Sequence, residues 1–165
     1  MAERIGETLL RSMSLEVQVL TALREHDPES VRALIPRAMA AAPDDNSHVA
    51  GMMACQCWLA WQDGHPDEVI SLAGQIGQFD PATTTFGGRR WVYLFPLIAA
   101  RLRGADTAAA IAAARQILDP SQQLLPDDLM AALDAACAAW DNGAADEAAT
   151  GLAGALDLAH DLNYF

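Results

Sequence analysis

An apolar helical run that breaks at a glycine occurs three times in this chain: Ala60-Trp61-Gln62-Asp63-Gly64, Ala100-Arg101-Leu102-Arg103-Gly104 and Ala139-Trp140-Asp141-Asn142-Gly143. Each glycine is followed by a short polar step and a second apolar run. The glycines lie 40 and then 39 residues apart, within the spacing that marks stacked helical hairpins. The sequence therefore predicts one all-α domain over residues 1–165, an α-α superhelix of about eight antiparallel helices in four pairs. The units run over about 1–45, 46–83, 84–120 and 121–165.

Local signals place the elements. Ile5, Leu9, Leu10, Met13, Val17, Leu20 and Leu23 recur at helical spacing through a first helix over 1–25. Asp27 and Pro28 open a second helix, with Pro36 inside it as an expected kink. The third helix spans 47–63, and the fourth 66–79, before Asp80-Pro81. Residues 82–88, three threonines and a Gly87-Gly88 pair among them, read as a mobile loop. Helices at 89–103 (with Pro96 inside), 107–118, 126–142 and 146–161 complete the set. Gly64 and Gly143 are expected to end their helices in the left-handed conformation.

Composition narrows the class. With 52% apolar and 19% charged residues, a chain of 165 residues can bury a sizeable core. Its longest unbroken apolar run, Trp91 to Ala100, is far short of the ~20 residues needed to span a bilayer. Residues 1–7 have no signal-peptide pattern, and Cys55, Cys57 and Cys137 read as buried thiols of a reducing compartment, so a cytoplasmic protein is expected. The net charge of −12 argues against direct nucleic-acid or membrane binding. Residues 84–120 alone are net basic, with five Arg against two acids, while 121–165 carry eight acids and no base.

The spacing resembles tetratricopeptide repeats. Taking Gly64 as the turn, Pro81 falls on that motif's closing proline, and Gly143, Ala148 and Ala155 fall on its glycine and two second-helix alanines. The first unit has His26 near the glycine position, and the second has Val69 and Ile76 in place of the alanines. Residues 110–165 further resemble the end of the C-terminal arms of large bacterial signalling ATPases, those carrying adenylate-cyclase or LuxR-type DNA-binding modules. The phrases concerned are Ile117-Leu118-Asp119-Pro120-Ser121-Gln122-Gln123, Leu125-Pro126-Asp127-Asp128-Leu129, Ala138-Ala139-Trp140 and Leu158-Ala159-His160-Asp161-Leu162-Asn163-Tyr164-Phe165. No ATPase, cyclase or DNA-binding segment lies in the chain, so those activities do not transfer. The resemblance implies a non-catalytic interaction or regulatory scaffold, whose partner is a protein or peptide or the rest of a larger regulator.

On that register Trp58, Trp61, Trp91, Phe95, Ile98, Arg101 and Trp140 fall where such arrays line an inner groove, suited to a peptide or a partner helix. Filling of inter-repeat space by the same tryptophans is the competing reading. Gly87, Gly88, Arg89 and Arg90 form a candidate anion contact. A small-molecule sensor using the same groove is the alternative within binding, and a hydrolase or transferase built on acids with His48 or His65 is the alternative from another class. Neither a metal nor another cofactor is expected: Cys55 and Cys57, two apart on a helix, point about 200° away from each other. Asp127-Asp128 and Asp44-Asp45 read as dipole-offsetting acids at helix starts. The last helix carries Leu152, Ala155, Leu156, Ala159 and Leu162 with no helix after it, so either Tyr164 and Phe165 fold back, or a homodimer covers that face, or it meets the rest of a larger protein.

Overall fold

Side-chain caps and prolines set where the helices begin. Asp27 accepts a hydrogen bond from the Ser30 N–H at 3.0 Å with Pro28 in the first helical position. Asp45 accepts from the Ser47 and His48 amides at 2.9 and 3.2 Å, and Asp106 from Ala109 at 3.1 Å. Each carboxylate satisfies amides that the first helical turn leaves without a partner. The computed structural model describes residues 2–42, 45–79 and 89–165, with side chains from residue 10 onward. Pro43-Asp44, Asp80-Pro81, the 82–88 stretch with Gly87 and Gly88, and the Ile5 and Leu9 side chains lie outside the described residues. Eight helices follow in order: α1 (Ala2–Arg24), α2 (Pro28–Ala41), α3 (Asn46–Gln62), α4 (Pro66–Ile76), α5 (Trp91–Arg103), α6 (Thr107–Ile117), α7 (Asp127–Asp141) and α8 (Ala145–Asp161). The fold is all-α, with no strand among the described residues.

Five helix ends share one closure. His26, Gly64, Ala105, Gly143 and Asn163 all have positive φ, between 53° and 80°. At each, the left-handed residue's N–H reaches back three residues, and the next residue's N–H reaches back five: Gly64 to Trp61 O and His65 to Ala60 O, both 2.9 Å, are typical. This paired closure satisfies carbonyls that the helix end would otherwise leave open. The same pattern follows α1, α3, α5, α7 and α8. The expected left-handed Gly64 and Gly143 are found; in the third unit the role falls on Ala105, since Gly104 keeps φ −83°.

Packing follows these tight turns: α1 lies on α2, α3 on α4, α5 on α6 and α7 on α8. Between pairs, α3 packs on both α1 and α2, and α5 on both α3 and α4. The last pair is seated differently. Its α7 meets α6 but not α5, whereas α8 meets both α5 and α6. The apolar face of α8 is thereby covered, with Leu152, Ala155 and Ala159 buried. Gly151 permits the close α7–α8 approach, because a Cβ there would stand 3.1 Å from the Ala136 Cβ. The core otherwise collects the apolar stripes of all eight helices, with Trp58, Phe95, Leu94, Ile98 and Met52 among its largest fully buried side chains.

Candidate binding seam

The reseated α8 delivers its following residues onto α3 and α5. Asn163 turns the chain, the Tyr164 N–H donates to Ala159 O at 2.8 Å, and the next two side chains point back into the molecule. Phe165 is buried, its ring 5.7 Å from Trp61 at an interplanar angle of 28° and 6.3 Å from Phe95. Tyr164 meets Trp91 edge to face at 4.9 Å, and the Arg24 guanidinium lies 4.4 Å over the other part of the seat, on the Tyr164 ring. Arg24 also donates to Leu162 O at 3.5 Å. The fold-back expected of Tyr164 and Phe165 is found.

The groove expected to be open is therefore closed in this state, and the seven residues assigned to it separate into three groups. Trp61, Trp91 and Phe95 form the seat of the Tyr164–Phe165 pair, with Trp91 held in place by its Nε1–H donating to Gln123 Oε1 at 3.3 Å. Trp58 and Ile98 are core residues, 1% and 0% exposed, outside the aromatic seat. Arg101 braces the α5–α6 turn through Asp106 at 3.3 Å, and Trp140 is half-buried on α7, the helix that does not reach α5. The repeat register placed α7 beside α5, so it put Trp140 with the others.

Of the candidate anion contacts, Gly87 and Gly88 lie outside the described residues, and Arg89 is engaged internally. Its Nη2 lies 2.6 Å from Glu16 Oε1, so the charge is already met from α1. Glu16 Oε2 in turn lies 3.8 Å from Nδ1 of the buried His48, whose Nε2 donates to Ala38 O at 2.7 Å. This chain of contacts ties α1, α2 and α3 to the start of α5. The Arg90 amide donates to Gln122 Oε1 at 3.3 Å, so the backbone there is also engaged internally.

The arrangement offers little that would support acid, base or nucleophile chemistry at His48 or His65. They sit at opposite ends of α3, separated by about 25 Å of helix. Burial raises the Cys55 thiol far above its ordinary value and pushes Cys57 up to about 12, which keeps both neutral and unreactive. Among the described residues, no group of three His, Cys, Asp or Glu is placed to hold a metal, and no helix is long and apolar enough to cross a membrane.

Two polar atoms beside the seam stand out. Trp58 Nε1 and His26 Nε2 are buried without a hydrogen-bond partner among the described residues. Their rings are 6.4 Å apart, and His26 also faces His160 at 5.2 Å. Arg24, His26 and Gln123 were not identified from the sequence, because each acts across more than 30 residues and no local pattern encodes that. Neither a family model, a curated protein nor a solved structure matches this chain.

Proposed function

We propose that the chain is a non-catalytic interaction module, a tetratricopeptide-like scaffold of the kind that regulates a bacterial signalling or transcription protein in the cytoplasm. One observation carries the reading: aromatic side chains from α3 and α5, with Arg24 from α1, form a seat that accommodates an irregular aromatic segment rather than another helix. Tryptophan and arginine seats of this sort contribute heavily to recognition, because their large rigid surfaces are desolvated at small entropic cost. The partner is a peptide or a helix end bearing aromatic residues. Panning a random peptide library on the protein tests this, with Trp61→Ala as counter-screen and circular dichroism to verify its fold. Enriched peptides should lose binding to the variant. Peptides that bind both proteins equally would place recognition elsewhere.

A second reading draws on Trp58 Nε1 and His26 Nε2. Buried polar atoms ordinarily find partners, so a small molecule offering an acceptor oxygen there would make the module a sensor at the same seam. Loss of a bound metabolite on Trp58→Phe, with the aromatic seat unchanged, would favour this reading over peptide recognition.

A further inference from the structure

We propose that residues 162–165 are a built-in occupant of the seam, and that the partner which displaces them carries the same chemistry: two adjacent aromatic residues presented just beyond a helix end. The inference rests on the interaction reading above and names its ligand class and its control. The observed occupant defines the chemistry. One ring stacks between Trp61 and Phe95, and the neighbouring ring is held between the Trp91 edge and the Arg24 guanidinium. The preceding Leu162 carbonyl accepts from Arg24, so the seat reads one backbone acceptor and two consecutive rings. A single aromatic residue would fill half of it.

The way the segment is held makes it displaceable. Its last anchored backbone contacts belong to the turn at Asn163, where the Asn163 N–H donates to His160 O at 2.9 Å and the Tyr164 N–H to Ala159 O at 2.8 Å. Beyond that turn both rings are held by side-chain contacts to Trp61, Phe95, Trp91 and Arg24, which a second molecule can reproduce. A tethered occupant acts at an effective concentration of about 1 mM for a short flexible connection. A competing peptide of the same sequence therefore binds the intact protein with an apparent Kd no tighter than about 1 mM, and only a peptide that fits the seat better than the internal segment binds more tightly. Unseating the internal segment reveals that intrinsic affinity.

Asn163 gives a way to unseat it without altering the seat. Asn163 is exposed at φ 58°, a conformation that asparagine tolerates and a β-branched residue does not. Asn163→Val thus weakens the return turn while leaving the seat residues Arg24, Trp61, Trp91 and Phe95 unchanged. The experiment is fluorescence anisotropy of a labelled synthetic peptide of residues 158–165 titrated with wild-type protein, Asn163→Val, and the Tyr164→Ala/Phe165→Ala double variant. The expected result is at least tenfold tighter binding to both variants than to wild type, abolished when Trp61→Ala is added or when the two aromatic residues of the peptide are replaced by Ala. Should the double variant fail to fold, Asn163→Val decides alone. Equal affinity for wild type and Asn163→Val, or a gain that survives Trp61→Ala, would overturn the proposal. If panned peptides depend on Trp61 but contain no aromatic pair, the interaction reading stands and this inference falls.

Discussion

Among the described residues, five with positive φ turn this chain back on itself, and two of those are glycine. Gly64 and Gly143 reach φ 77° and 80° with nothing within 4 Å of where a Cβ would stand. A valine at either position therefore meets no clash but carries the full cost of the left-handed conformation, so Gly64→Val or Gly143→Val should lose more than ~1 kcal/mol by thermal melting. Ala105 is the converse case. Exposed at φ 56°, it bears strain that a glycine would relieve, and the unfolded-state entropy of glycine offsets only part of the gain. Ala105→Gly should stabilise by up to about 1 kcal/mol, measured by denaturant midpoint at unchanged slope. These positions also show what was legible at this scale. Glycine marked Gly64 and Gly143 correctly, because the residue type advertises the conformation. In the third unit the left-handed residue is Ala105, one place after Gly104; the repeat register set His26 near the glycine position, but neither its residue type nor that of Asn163 signalled the conformation, because a hydrogen-bonded turn can impose left-handed backbone on other residues.

At the scale of the helix, eight elements were readable because caps, prolines and 3.6-residue apolar spacing agreed along most of the chain. The fourth helix ends at Ile76 rather than 79, where Gly77-Gln78-Phe79 turn through short-range bonds. Both α2 and α5 continue through Pro36 and Pro96, leaving the Arg32 and Val92 carbonyls without the usual helical donor four residues on. The cap of α2 makes a pH prediction. The Ser30 N–H and hydroxyl beside Asp27 hold its carboxyl below the ordinary value of 3.8. A carboxyl lowered on folding contributes stability that is present above its unfolded pKa and is lost as pH falls through the folded one. Acid melts below pH 3.8 should therefore lose stability less steeply in Asp27→Asn than in wild type, since the amide caps without titrating. Close helix contact makes another. With Ala136 Cβ only 3.1 Å from a Cβ at residue 151, Gly151→Val should cost about 1–3 kcal/mol by overpacking α7 against α8, whereas the same change at Gly154, with nothing within 4 Å, should cost about 1 kcal/mol or less.

At the scale of the whole molecule, the repeat register extended to the last pair fails to place α8, and with it the seam. A sequence repeat encodes each hairpin, but not the angle at which one hairpin stacks on the next. Here α8 takes the place beside α5 that α7 would have held, and the residues after it reach α1, α3 and α5 together. The consequence is thermodynamic as well as functional. Phe165 is 8% exposed, with its ring against Trp61 and Phe95. A frayed residue truncated to alanine would change stability by a few tenths of a kcal/mol. A fully packed core phenylalanine costs about 3–5 kcal/mol, and the partly buried Trp61 beside it can relax into part of the space it leaves. Phe165→Ala should accordingly cost about 2–3 kcal/mol, and because the seat joins three units the loss should appear in the single cooperative transition. Chemical unfolding followed by tryptophan fluorescence and by far-ultraviolet circular dichroism checks this: the two probes should shift together to lower denaturant. A fluorescence change at zero denaturant with an unmoved helical midpoint would mean that the ring covers the seam without bracing the array.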